Sequence, residues 1–599
     1  MARSAEELRR KYAEERDKRI RPEGADQYIK PTGQWENLFE DPYSELVERD
    51  PIARDVDVVV VGAGFSGLIV GAKLVQANID DFVILDKAGD VGGVWYWNRY
   101  PGAMCDTAAM VYLPLLEETG HRPSMKYVPG YEIHEQAQRI ATTFDLYRRF
   151  VASTGIEKIE WDEARTRWIV STDRGDRLAA RYVTLGTGPI SKPKLPGIPG
   201  IESFKGHSFH TSRWDYEYTG GDRYNTPMVK LADKRVGVIG TGATGVQVIP
   251  QLARTAQELF VFQRTPSSID VRNNHPIDPE WFDTLESGWQ KQWLMNFTTL
   301  QTGGFTDEDL VKDGWTDISK RIRDRVVALV TERGTYDAAI YAEAYEASDD
   351  EKMEEIRARV DAIVADETTA EALKPWYRQL CKRPCFHDDY LASYNQANVH
   401  LVDTDGRGVE RIDETGVWVN GVHYELDCLI YASGFEVGNE QSGEGALPVV
   451  GVGGQTLAEN WSEGMLSLHG LYTRGFPNLF HLGIAQGANL VSNIPHNFLD
   501  AAETIATVIS HAKEIGAEHV EPSAAAQSEW VEGIAANTAS LFGNPDCTPG
   551  YYNNEGKGFG RKDRLNSTGY PLGAVAYFEL MERRRSTGDF SGLEFTPAA

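Results

Sequence analysis

Two glycine-rich turns of one type, each closing a short apolar run, constrain what this 599-residue chain can fold into. The first, Gly62-Ala63-Gly64-Phe65-Ser66-Gly67, follows Val58 to Val61; the second, Gly240-Thr241-Gly242-Ala243-Thr244-Gly245, follows Val236 to Ile239. Each reads as strand, tight turn and helix. In such a unit the glycines permit the sharp turn and the close approach of a pyrophosphate, whose charge meets the amino end of the helix. A residue that reads the ribose is expected about 20 residues on, at the end of the next strand. Asp86, followed by Lys87, stands 19 residues past Gly67, and Arg264, followed by Thr265, stands 19 residues past Gly245. A carboxylate there suits an unphosphorylated ribose such as that of FAD or NAD, whereas a guanidinium pairs bidentately with a 2′-phosphate. The chain therefore asks for two different dinucleotides, FAD and NADPH.

The expected fold class is α/β, with two Rossmann-like dinucleotide-binding domains and a mainly helical insertion. Residues 1–55 form an extension in which Ser4 to Glu7 fits a capping box and Trp35, Leu38, Phe39, Tyr43 and Leu46 offer an apolar face. Residues 56–190 form the first part of the FAD domain. The proline-rich run from Ser191 to Gly200 is stiff and marks a boundary. The NADP domain follows over 191–394 and includes an insertion at about 273–380, where Glu351 to Ala365 places apolar residues at helical spacing. Residues 395–599 return to the FAD domain and end in a loop region. Strand-like runs at 399–402, 426–432 and 479–482 are expected to complete the first sheet.

A formal net charge of −28 argues against nucleic acid or an anionic membrane surface as a main partner. The first residues alternate in charge without an apolar h-region, so neither a secretory signal nor a membrane span is expected. Five cysteines, Cys105, Cys381, Cys385, Cys428 and Cys547, are too irregular for a disulfide framework and fit a reducing cytoplasm. Cys381 and Cys385, with three residues between them, are read as structural or incidental. No metal site is indicated.

Between the nucleotide units lies Phe204-Lys205-Gly206-His207-Ser208-Phe209-His210-Thr211-Ser212-Arg213-Trp214-Asp215. This matches FxGxxxHxxxW(P/D) at Phe204, Gly206, His210, Trp214 and Asp215. A second pattern, GGxWxxxxYPGxxxD, is matched by Gly92, Gly93, Trp95, Tyr100, Pro101, Gly102 and Asp106, with Val94 between. By these two patterns the chain resembles the flavin-dependent Baeyer-Villiger monooxygenases over residues 57 to 542. The N-hydroxylating and flavin-containing monooxygenases share the two turns, and an N- or S-oxygenating enzyme is the alternative reading. Trp214-Asp215 and the Asp106 pattern favour the ketone-oxidising branch.

The resemblance implies that Gly93, Val94, Trp95, Tyr100 and Asp106 line the flavin site. It implies that Arg383, in Leu380-Cys381-Lys382-Arg383-Pro384, is the catalytic arginine paired with Asp106. A permanently charged guanidinium suits an anionic flavin C4a-peroxide and the oxyanion of a ketone adduct. It further implies that Arg264, Thr265 and Lys382 clamp the 2′-phosphate, that Gln247 contacts NADPH, and that the fingerprint segment links domains. The substrates implied are a small-molecule ketone and O2, and the product an ester or lactone. Many relatives carry a tryptophan in a loop near the C-terminus; here the corresponding stretch, Thr548 to Gly556, offers Tyr551. That stretch and the extension resemble the branch acting on bulky cyclic, macrocyclic or steroid ketones.

Overall fold

The computed structural model describes residues 3–29, 31–437, 446–490, 492–537, 544–558 and 560–597, so that Phe542, near which the resemblance ends, lies outside them. The strand Ala53–Val61 is the centre of the first sheet because Val58, Val59 and Val60 are apolar on both faces and fully buried. It pairs in parallel with Phe82–Leu85 on one side and Arg177–Leu185 on the other. The strand Leu479–His481 joins the far half of Arg177–Leu185, and an antiparallel hairpin, Ile156–Asp162 with Arg167–Thr172, joins its near half. The helix Phe65–Gln76 covers one face and packs Leu68, Ile69 and Val70 into one cluster with Ile505, Val508 and Ile509 of the helix Ile494–Glu514.

The second sheet is wholly parallel, in the order His207–His210, Cys428–Tyr431, Arg235–Ile239, Glu258–Gln263, Val399–Asp403. This corrects two expectations. The strand-like runs near 399 and 428 belong to the second sheet, not the first, and the second unit extends past the proposed limit at 394. A buried parallel strand carries the same continuous apolar pattern in either sheet, so pattern alone does not assign it. Only Leu479–His481 of the three runs returns to the first sheet.

The segment 273–380 is built of helices, chiefly Trp289–Gln301, Gly314–Arg333 and Ala338–Ile363. Its Leu294, Phe297 and Trp315 share a cluster with Ala108, Val111, Tyr127 and Phe386, which seats the insertion against the Asp106 segment. In the extension, Ser4 caps the helix Ala5–Asp17 in a capping box with Glu7. Trp35 and Leu38 pack with Leu195, Phe204 and Tyr431 of the second unit. Phe39 and Leu46, expected to pack too, stand 46% and 60% exposed.

The cysteine reading also needs correction. Cys381 is disulfide-bonded to Cys547 across 166 residues of chain, while Cys105, Cys385 and Cys428 are free and buried. The bond depends on the 544–558 loop folding back onto the end of the insertion, where Tyr377 packs against both sulfur-bearing residues. Spacing along the chain carries no trace of that return. Among the described residues no helix is long and apolar enough to cross a membrane.

Candidate active site

The two glycine turns are nearly superposable in their requirements. Gly62 and Gly240 lie at φ +96° and +111°, where an L side chain is strained. A Cβ on Gly67 would lie 1.8 Å from the Gly62 carbonyl oxygen, and one on Gly245 2.3 Å from that of Gly240, so helix and turn close on each other only through glycine. The middle glycines differ. Gly64 and Gly242 have ordinary extended backbones, and a Cβ would meet nothing nearer than 3.4 Å at Gly64 and nothing within 4 Å at Gly242. Neither backbone strain nor protein packing requires glycine there, and the space kept at the amino end of each helix fits the approach of a pyrophosphate.

Around the first turn, Ser66 donates to the Gly186 carbonyl at 3.0 Å, and Phe65 meets Tyr112 edge to face. The Asp86 carboxylate accepts from the backbone N–H groups of Ala63 at 2.6 Å and Ala88 at 2.9 Å; burial raises its pKa against these two bonds. Lys87 lies over the Trp97 ring at 5.8 Å. Gly93, at φ +56°, precedes the short helix Val94–Trp97, and Trp95 donates to the Tyr112 hydroxyl at 3.0 Å.

The Asp106 pattern crosses to the second unit through Gln247. Its side-chain oxygen accepts from Tyr100 at 2.8 Å and from the Met104 N–H at 3.3 Å, and its amide donates to the Met104 carbonyl at 2.8 Å. The contact predicted for NADPH is therefore also the bolt between the two units. Asp106 itself is 2% exposed and lies between two guanidinium groups. Arg383 stands 3.8 Å away, as the predicted pairing requires. Arg272 is closer, donating to Asp106 and, at 2.8 Å, to the Met104 sulfur.

Sequence reasoning missed Arg272. It arrives there because Ile269–Asp270 pairs in parallel with Cys385–Phe386, which lays residue 272 beside the Arg383 segment. No spacing in the sequence announces that two-residue ladder. Burial acts to lower the Arg383 pKa, but Asp106, with Tyr552 and Tyr551, outweighs it and holds the group above its ordinary value. Arg383 also lies 5.3 Å over the Trp315 ring of the insertion. Asp313, which caps the helix bearing Trp315 and accepts from the Ala108 N–H at 2.8 Å, is pushed up to about 6 by burial. Tyr551 and Tyr552 stack edge to face at 4.4 Å, so the loop expected to carry a tryptophan brings two tyrosine rings to the Arg383 side of the site.

The fingerprint residues lie apart from this centre. They form the edge strand of the second sheet and the turn after it. His210 is fully buried and bonded to Ser212; burial holds its pKa down at about 3. Trp214 donates to Thr219 at 3.2 Å, and Asp215 caps the helix Tyr216–Thr219 while accepting from His207 at 2.9 Å. Phe204 packs beneath Gly206, in the cluster with Trp35.

At the end of the second unit Arg264 points toward segments from both ends of the chain. It donates to the Gln27 side chain at 2.5 Å and lies 3.6 Å from Glu555. Thr241 donates to the Thr265 carbonyl, while the Thr265 hydroxyl is buried with no hydrogen-bond partner. Burial, and after it the charge of Arg264, bring Lys382 down to about 8. An unpaired hydroxyl and a crowd of cations suit a polyanionic ligand group.

Two sheets, one mixed and one wholly parallel, each with a glycine turn that leaves room at the amino end of a helix, define a two-dinucleotide oxidoreductase. Residues 59–302 match the family described as pyridine nucleotide-disulphide oxidoreductase. The neopentalenolactone D synthase of Streptomyces avermitilis is 47% identical over 594 residues, covering 98% of this chain and 99% of that protein. A Baeyer-Villiger monooxygenase of Streptomyces coelicolor is 47% identical, over 96% of this chain and 95% of its own. Among solved structures, the polycyclic ketone monooxygenase of the thermophilic fungus Thermothelomyces thermophila shares 35% identity and a TM-score of 0.90 over 99% of both chains. The chain belongs to the Baeyer-Villiger monooxygenases, and its cofactors are FAD and NADPH.

Proposed function

We propose that this enzyme converts bulky cyclic ketones to lactones, with Arg383 as the catalytic cation and Asp106 as its positioning partner. The observation that carries the residue assignment is the buried Asp106 carboxylate shared by Arg272 and Arg383 where the two units meet. Bound NADPH supplies a hydride and bound FAD the oxygen-activating chemistry; overall, ketone, O2, NADPH and a proton give ester, NADP+ and water. Asp106 holds the guanidinium of Arg383 toward the meeting line of the two sheets, where its fixed charge stabilises negative charge that develops on oxygen. Arg272, which donates to Asp106, holds it in place. Gly64 and Asp86 serve FAD; Gly242, Arg264, Thr265 and Lys382 serve NADPH. The helices of the insertion, with the Tyr551–Tyr552 loop, keep water from the site.

The substrate class rests on relatives whose names specify polycyclic ketone and neopentalenolactone chemistry. The cytoplasm is the proposed location, because each turnover consumes one NADPH. The test is conversion of a panel of cyclic and polycyclic ketones under labelled oxygen gas. The ring oxygen of the lactone should carry the label and the carbonyl oxygen should not. Oxidation of amines or sulfides alone, with every ketone returned, would assign the chain to heteroatom oxygenation instead.

A further inference from the structure

The region around Arg264 contains a carboxylate that neither the reaction nor the cofactor clamp uses. Glu555, 5% exposed, lies 3.6 Å from Arg264 and 3.9 Å from Lys194. It accepts hydrogen bonds from Tyr28 at 3.2 Å and from the Gln27 amide at 3.3 Å. Burial lowers the pKa of Lys382 and of Lys194, and the charge of Glu555 opposes that fall without reversing it. Glu555 thus lies among three cations, yet its direct hydrogen bonds run to neutral groups, and Arg264 and Lys194 stand just beyond hydrogen-bond range. Arg264 spends a donor on Gln27 and the neighbouring Thr265 hydroxyl has no partner, so the cationic side of the cluster is not saturated.

The backbone beneath it is strained. Asn554 and Glu555 both lie in the left-handed region, at φ 52° and 54°, which disfavours L side chains and persists where surrounding contacts impose it. The loop bearing it is held at one end by the Cys381–Cys547 bond, next in sequence to Lys382. Contact with the extension, through Gln27 and Tyr28, holds the other.

We propose that Glu555 tempers the preference for the phosphorylated nicotinamide cofactor, acting as an internal competitor of the 2′-phosphate for Arg264, Lys194 and Lys382 and so lowering NADP+ affinity relative to NAD+. The 2′-phosphate, with more charge and more acceptor oxygens than a carboxylate, displaces it. NADH has no group to do so and gains nothing from the cations. The inference rests on the reading of Arg264 as the 2′-phosphate clamp.

The test is calorimetric titration of the FAD-loaded enzyme with NADP+ and with NAD+. Glu555→Gln, which removes charge and keeps shape, should tighten NADP+ about tenfold, equal to about 1.4 kcal/mol, and change NAD+ less than twofold. Glu555→Asp disturbs the loop but keeps the charge, and should bind NADP+ within about threefold of the parent. In an Arg264→Ala background the gain from Glu555→Gln should shrink to less than half. Unchanged or weaker NADP+ binding by Glu555→Gln would overturn the proposal and make Glu555 a strut that holds the cations for the phosphate. Should Arg264→Ala alone weaken NADP+ and NAD+ equally, the clamp reading fails first; should it weaken NADP+ selectively while Glu555→Gln tightens nothing, only the competitor fails.

Discussion

The two nucleotide units agree down to their steric requirements and part company at the residue proposed to read the ribose. Asp86 is fixed by two N–H groups of its own unit, those of Ala63 and Ala88. Arg264 is fixed by Gln27, 237 residues before it, and faces Glu555 from the far end of the chain. One site is finished locally and the other by remote segments. A cofactor that stays bound needs only a site its own strand and helix complete. A site walled by remote segments depends on the packing of those segments as well as on its own strand and helix.

The largest expected effect lies where the two units meet. Arg383→Ala should lower ester formation by about 10² to 10³-fold while leaving FAD content and NADP+ affinity intact, read by product chromatography, flavin absorbance and calorimetry. It is the clean variant because Arg272 still neutralises Asp106. Asp106→Ala leaves two guanidinium groups without their buried partner and should cost about 3 to 5 kcal/mol of stability, measured by denaturant melting. Ester formation by Arg383→Ala at the parent rate would remove it from the chemistry.

Next in size, Arg264→Ala should weaken NADP+ by about 1.5 to 3 kcal/mol without touching NAD+ or the flavin. Equal losses for both nucleotides would erase the contrast between the units.

A paired substitution at the middle glycines should have a smaller effect and sharpen the same contrast. Gly64→Ala and Gly242→Ala put a methyl group where the protein itself leaves room, so both should fold, and their defects report on the ligand. The first should lower the bound flavin content, read by absorbance; the second should keep its full flavin and bind NADP+ less tightly. Identical behaviour of the two would mean that the turns do not serve separate cofactors.

The smallest effect is a pH dependence confined to one unit. Lys382, brought down to about 8 by burial and by Arg264, is charged below that pH and neutral above it. NADP+ affinity should therefore be full below pH 8 and fall by a few-fold as pH rises through it, with a proton taken up on binding above pH 8. NAD+ affinity and FAD retention should stay flat across the window, and Lys382→Arg should abolish the dependence. A parent profile that is flat for NADP+ would place Lys382 outside the clamp.

Much of this was legible in the residues. Both turns, with Asp86 and Arg264 at the ends of the following strands, came from spacing and pattern, and the closeness of Arg383 to Asp106 from the family resemblance. Arg272 was not, because it reaches Asp106 through a two-residue ladder with no signature. The strands near 399 and 428 were found and put in the wrong sheet, since two buried parallel sheets draw on the same apolar vocabulary. The Cys381–Cys547 bond was not legible, because its partners stand 166 residues apart and no local spacing marks them.

The sequence by itself determined what is local: a positive φ that only glycine tolerates, a helix end that must touch the turn's carbonyl, and a charge at the end of the next strand. These are satisfied within about 20 residues, so residue type at fixed spacing records them. The tertiary structure alone decided which guanidinium shares Asp106, which cysteine meets Cys381, and which ends of the chain close over Arg264. Those contacts join residues hundreds of positions apart and follow from the summed packing of two sheets, an insertion and two terminal segments, which no fixed spacing encodes.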